Sequence, residues 1–136
     1  MPFSSENLLR ELDQRRRIDW APELKSRKDG FAFLVQAVRG GRLNKSQFRN
    51  ALHMLYRMAF PEYANEVLQI LVDFTAHSDI AVRSEAVQLA VGLVHASKGL
   101  KTPIDFSDAQ RKLVRKALNL GVRKKVAHWV SKFSSI

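Results

Sequence analysis

Positive charge recurs at regular spacing near the end of the sequence. Arg111-Lys112 and Arg115-Lys116 repeat four residues apart, which places both pairs on one side of a helix. The predicted binding residues are Arg111, Lys112, Arg115, Lys116, Arg123, Lys124, Lys125 and Lys132. Grouped cations attract polyanions, so the chemistry they indicate is electrostatic binding of nucleic-acid phosphates or of an acidic protein surface. A solvated basic face is the alternative that requires no partner.

Residues that would support catalysis or metal binding show no comparable pattern. The sequence has four histidines, His53, His77, His95 and His128. No two of them are three or four residues apart, so no helix carries a metal-binding pair. There is no phosphate-binding glycine loop and no Gly-x-Ser-x-Gly turn. Cysteine is absent, which excludes disulfides and thiolate zinc sites. We expect no enzymatic activity, no cofactor and no metal site.

The carboxylates Glu62, Glu66 and Asp73 follow helical spacing and form an acidic stripe. A solvated helix face is the simplest interpretation. A second one is self-assembly, in which the basic residues of one copy dock on the acidic stripe of a neighbour.

The net charge of +10 is unevenly distributed along the chain. Residues 1–49 hold 11 Lys/Arg and 6 Asp/Glu, residues 50–96 hold 2 and 5, and residues 97–136 hold 10 and 2. The three stretches therefore carry +5, −3 and +8, which sum to +10. The near-neutral middle predicts a structural centre, and the basic ends predict contact with acidic partners.

The length of 136 residues and the hydrophobic fraction of 46% predict one packed domain over residues 1–136. The sequence shows no secretory signal and no run of about 18 apolar residues, so we expect a cytoplasmic protein without membrane contact. The oligomeric state is left open.

Helix-start and helix-stop signals predict an all-α chain with about six to seven helices. Residues 1–21 form an N-terminal capping helix with its connector. Asp29 opens the second helix, which Gly40-Gly41 ends. Asn44, with Gln47 three residues later, opens the third helix through a capping box.

The second half of the chain follows the same rules. The fourth helix spans about 61–76 and the fifth about 79–97, the most apolar of the set. Ser107 and Gln110 form a capping box for a sixth helix. A seventh follows Gly121, and residues 134–136 form a frayed tail.

The stretch 67–94 carries the most specific pattern. An apolar helix ends near His77, and Asp79 opens the next one, followed by Val82, Arg83 and Ala86. Asp79 suits the positive helix end, and Arg83 lies four residues later, where it can pair with Asp79. The small Ala86 permits close approach of a neighbouring helix.

This Asp, Val-Arg, Ala spacing resembles HEAT-type helical repeats over about 30 residues, with weaker echoes at residues 47–52 and 122–127. The resemblance implies stacked antiparallel helix hairpins, pairing the second helix with the third, the fourth with the fifth and the sixth with the seventh. An irregular helical bundle is the alternative architecture.

The resemblance also implies a binding function. We expect a non-catalytic scaffold or adaptor that binds an acidic protein partner through its basic face. The alternative is a DNA- or RNA-binding protein whose basic C-terminal hairpin contacts phosphates. Some HEAT-like proteins are DNA glycosylases, which makes a repair enzyme using Asp19, Trp20 and Trp129 a distant third hypothesis.

Overall fold

A computed structural model describes residues 29–41, 43–99 and 104–119. All regular structure in these ranges is helical, which confirms the all-α prediction for them. The helices are α1 (Gly30–Arg39), α2 (Lys45–Met58), α3 (Ala64–Phe74), α4 (Ile80–Ser97) and α5 (Asp108–Ala117). The predicted first and seventh helices and the tail at 134–136 lie outside the described residues.

The chain divides into two compact units, one ending at Phe60 and the other beginning at Pro61. In the first unit α1 packs against α2, and in the second α3 packs against α4 while α5 contacts both. Two of the expected helix pairs are therefore present, the second predicted helix with the third and the fourth with the fifth, while the third pair includes the seventh helix, which lies outside the described residues. One domain over 1–136 stays a prediction.

The sequence signal at the start of α1 does not act as predicted, whereas the glycine signal at its end does. Asp29 occupies the N-cap position, but its side chain makes no capping hydrogen bond, contrary to expectation. Its backbone has φ −108° and ψ 9°, not the extended conformation that aims a cap side chain at the helix. Gly41 follows the helix with φ 74°, a conformation that favours glycine and explains the stop.

The N-terminus of α2 matches its sequence signal. The Gln47 N–H donates to Asn44 Oδ1, and the Asn44 N–H donates to Gln47 Oε1, both over 2.9 Å. The sequence predicts a buried face of Phe48, Leu52, Leu55 and Ala59 for this stretch, and all four residues are buried. Cap and core together fix which side of α2 faces solvent.

The fourth predicted helix begins later than the sequence suggested. Residues 61–63 form a turn, and α3 starts at Ala64 with Tyr63 at its N-cap. The sequence places Val67, Leu68 and Leu71 on the apolar side of this helix, and all three are fully buried. α3 therefore presents a continuous apolar face to α4.

The turn between α3 and α4 is held by hydrogen bonds from Asp79 and Arg83. Asp79 Oδ1 accepts the N–H groups of Ala81 and Val82 over 2.8 and 3.2 Å. Arg83 Nη1 donates to the carbonyl oxygens of His77 and Ser78, both over 2.9 Å. Arg83 thus binds the backbone of the turn instead of forming the expected pair with Asp79. The Asp79 side chain caps α4.

His77 lies at this helix end, as the sequence indicated. Its Nδ1 accepts the Asp79 N–H over 3.0 Å, and its ring lies 6.3 Å from that of Phe74. Together with Arg83, the imidazole fixes the direction in which the chain enters α4.

Within its unit, α4 packs against both α3 and α5. Val82 and Ala86 are fully buried. The sequence predicts one thin polar line on this helix, formed by Glu85, Gln88, Gly92 and His95. The line is narrower than that, since Glu85 is only 9% exposed. No helix in the described part of the chain is long and apolar enough to cross a membrane.

Candidate binding surface

The described part of the predicted binding set lies on α5. The Gln110 N–H donates to Ser107 Oγ over 3.2 Å, and the Ser107 N–H donates to Gln110 Oε1 over 3.0 Å. This capping box confirms the sequence signal and fixes the start of the helix. After Ala117 the helix continues into a wider turn of the π-helical type at residues 118–119.

Two hydrogen bonds tie the start of α5 to α3. The Asp105 N–H donates to Asn65 Oδ1, and Gln110 Nε2 donates to Gln69 Oε1, each over 3.1 Å. Gln69 in turn donates to Asp73 Oδ1 over 2.8 Å. The polar side of α3 was expected to be only solvated, but part of it orients α5.

The acidic stripe of Glu62, Glu66 and Asp73 is exposed, as predicted. It lies on the turn before α3 and along α3, the helix whose Asn65 and Gln69 contact the α5 region within the same chain. The acidic residues of α3 and the basic residues of α5 therefore lie on two helices that pack against each other within one molecule.

Arg111 differs from the other cations of α5 in its contacts. Its guanidinium carbon lies 5.0 Å from the centre of the Phe106 ring. Its Nε donates to the Phe106 carbonyl oxygen over 3.3 Å. Arg111 is half-buried and connects α5 to the segment before it. Its positive charge therefore interacts partly with groups inside the unit.

Lys112, Arg115 and Lys116 are all exposed, as their predicted binding role requires. They share one side of α5, opposite the buried Val114 and Ala117. Arg115 and Lys116 also lie in the last helical turn, where cations interact favourably with the helix dipole. We call the surface formed by these three cations and Leu113 the α5 face.

The apolar pattern of the sequence groups Leu113 with Val114, Ala117, Leu118 and Leu120 on the buried side of this helix, and for Leu113 that prediction is wrong. Leu113 is 44% exposed, and among the described residues it is the one large hydrophobic side chain that is exposed. The arc of α5 that packs inward is centred on Val114, Ala117 and Leu118, and Leu113 lies at its edge. The α5 face therefore combines three cations with one apolar side chain.

The remaining predicted binding residues, Arg123, Lys124, Lys125 and Lys132, lie outside the described residues. So do Asp19, Trp20 and Trp129, on which the repair-enzyme hypothesis depended. Among the residues that the structure describes, no three His, Asp or Glu side chains form a group that could hold a metal ion.

Comparisons with family models, with curated proteins and with solved structures give no match.

Proposed function

We propose that the chain is a non-catalytic helical scaffold that binds an acidic protein partner through the α5 face. The observation that carries the proposal is Leu113, exposed beside Lys112 and Lys116 on one helix. Protein interfaces place apolar side chains at the centre and polar or charged ones at the rim. Contact with phosphates needs only the cations.

The helical-repeat character belongs to the same proposal. Asp79 caps α4, Arg83 binds the preceding turn, and Ala86 is buried between packed helices. These contacts support a HEAT-like hairpin at α3–α4, whose role is to hold α5 in a fixed orientation. A rigid support of this kind suits a binding surface, because little order is lost when a partner docks.

A designed helical peptide that presents leucines flanked by glutamates tests the proposal. We expect the full-length chain to bind this peptide, measured by fluorescence anisotropy. Leu113→Gln should weaken binding by about fivefold or more, since a central contact is worth over about 1 kcal/mol. Leu113→Met, the matched control, should retain affinity because it keeps the apolar contact.

Two results would overturn the proposal. One is peptide affinity that does not change in the Leu113→Gln variant. The other is a wild-type chain that ignores the peptide but binds duplex DNA through Lys112 and Lys116, which would assign the α5 face to nucleic acid.

A further inference from the structure

The exposed side of α5 changes in charge along the helix. Asp108 in the first turn, and Lys112 and Lys116 one and two turns later, are all exposed. They are four residues apart, so they form one row on the helix surface. With a rise of about 1.5 Å per residue, this row is about 12 Å long. It begins with one negative charge and ends with two positive ones.

An apolar row lies beside the charged one. Ala109 and Leu113 are both exposed and are also four residues apart. Ala109 is three residues from Lys112, and Leu113 is three residues from Lys116, which is the spacing of neighbours on a helix surface. The next member of the apolar row, Ala117, is buried, so this row runs from the exposed side of α5 into its packed side.

Contacts on the other side of α5 hold both rows in place. The Ser107–Gln110 capping box fixes the first turn, and Gln110 Nε2 donates to Gln69 Oε1 on α3. Val114 is fully buried. The helix therefore cannot rotate either row away from the surface without breaking these contacts.

Two adjacent rows of this kind complement a second helix. Side chains four residues apart form ridges that pack into the grooves between the ridges of another helix. The charges then select the direction of that helix, since acids must lie opposite Lys112 and Lys116 and a base opposite Asp108. Because of the helix dipole, acidic residues favour the first turn of a helix and basic residues the last. A helix with this charge order matches α5 only when it runs antiparallel.

We propose that the partner contributes an amphipathic helix that binds antiparallel to α5. Its acidic N-terminal turns lie over Lys112 and Lys116, its leucines pack on Ala109 and Leu113, and a basic residue near its C-terminus meets Asp108. The inference rests on the proposed function, because it specifies the shape and direction of the acidic partner bound by the α5 face.

A second copy of α5 does not fit this arrangement. In an antiparallel pair of α5 helices each Asp108 faces a Lys116, but the two central Lys112 side chains face each other. Like charges placed together at an interface oppose association. The partner helix therefore differs from α5 in having an acid at its central position.

Cysteine cross-linking tests the direction, since the chain contains no cysteine of its own. Ala109→Cys marks the start of α5 and Asn119→Cys marks its end, because both residues are exposed. The probe is a designed helical peptide with glutamates in its N-terminal half, leucines along one side and a lysine near its C-terminus. One version carries a cysteine at its N-terminus and a second version carries it at its C-terminus. Each is mixed with the full-length variants in a glutathione redox buffer.

We expect opposite preferences at the two positions. Residues 109 and 119 are about 15 Å apart along the helix, whereas a disulfide needs Cα atoms within about 7 Å. Ala109→Cys should therefore react with the C-terminal cysteine at least about tenfold faster than with the N-terminal one, since only one end of the bound peptide reaches it. Asn119→Cys should prefer the N-terminal cysteine by a similar factor. Each position reports the direction by itself, so one folded variant is sufficient.

Charge variants connect the direction to the charged row. Lys116→Gln should weaken peptide binding by about 1.5- to 5-fold, the range of an exposed ion pair. It should have no further effect on a peptide whose first glutamate is replaced by glutamine. Asp108→Asn should show the same coupling to the C-terminal lysine of the peptide. Circular dichroism checks that each variant is helical.

Three results would overturn the inference and leave the proposed function standing. They are the reverse cross-linking preference, equal rates at both positions, and undiminished affinity for a peptide whose helix is broken by a central proline. A wild-type chain that does not bind the peptide, or peptide binding that Leu113→Gln leaves unchanged, would overturn the proposed function together with the inference. A wild-type dimer in sedimentation that Leu113→Gln dissociates would also overturn both, because it assigns the α5 face to a second copy.

Discussion

Helices α2 and α5 begin in the same way but present different surfaces. Both open with a capping box, Asn44 with Gln47 and Ser107 with Gln110, and both bury one apolar side against their own unit. Both carry cations on the opposite side. The exposed side of α2 carries Lys45, Arg49 and Arg57, whereas the α5 face also includes Leu113 at 44% exposure.

The difference shows that positive charge alone does not identify a partner. The side chains between and beside the cations decide whether the partner supplies phosphates or an apolar surface ringed by carboxylates. Helix α5 also lies in the unit that contains the acidic α3 stripe. Each prediction below tests one part of this comparison.

The largest expected effect comes from the cores that support the two surfaces. Leu52 on α2 and Leu71 on α3 are both fully buried. Leu52→Ala and Leu71→Ala should each lower the free energy of unfolding by about 2–5 kcal/mol, because a cavity replaces packed atoms. Urea unfolding followed by circular dichroism measures the loss. An exposed control, Ala32→Ser, should change stability by less than about 0.5 kcal/mol.

A loss below about 1 kcal/mol for either leucine would mean that its helix is not packed as described. That helix would then not hold its surface residues in a fixed arrangement, and the contrast between the two faces would lose its structural basis.

The capping boxes should give the next largest effect. Asn44→Ala and Ser107→Ala each remove the side-chain acceptor for a backbone N–H, and each should cost about 0.5–2 kcal/mol. Asn44→Asp and Ser107→Asp keep an acceptor and should retain most of the stability. The two costs should be similar, since both caps make the same reciprocal pair of hydrogen bonds. A large difference between them would show that the helices do not begin equivalently.

Features decided by neighbours in sequence could be predicted, and both capping boxes are examples. Asn44 and Gln47 are three residues apart, so the signal and the structure it produces lie in the same helical turn. Apolar periodicity likewise identified the buried sides of α2 and α3. Asp29 was the exception, because its backbone conformation does not direct the side chain to the helix.

Features decided by packing could not be predicted. The exposure of Leu113 and the burial of Glu85 depend on which helices cover α5 and α4, and periodicity does not contain that information. Arg83 illustrates the same limit, since its acceptors belong to the preceding turn and lie beyond the four-residue spacing of helix pairs. The basic side of α2 did have a sequence signal, Lys45, Arg49, His53 and Arg57 at four-residue spacing, but charge totals over longer stretches concealed it.

The smallest effect concerns Arg111, which decides how much of the predicted basic cluster belongs to the α5 face. Arg111→Gln removes a guanidinium 5.0 Å from the Phe106 ring and should lower stability by about 0.5–1 kcal/mol. Lys112→Gln, the exposed neighbour, should stay within about 0.5 kcal/mol of wild type. Thermal melting of both variants measures this difference. If Arg111→Gln melts like wild type but weakens binding of the Glu-Leu peptide as much as Lys112→Gln does, Arg111 is a contact residue of the α5 face. If it lowers stability and leaves peptide binding intact, the face consists of Lys112, Leu113, Arg115 and Lys116, and its apolar fraction is larger than the sequence suggested.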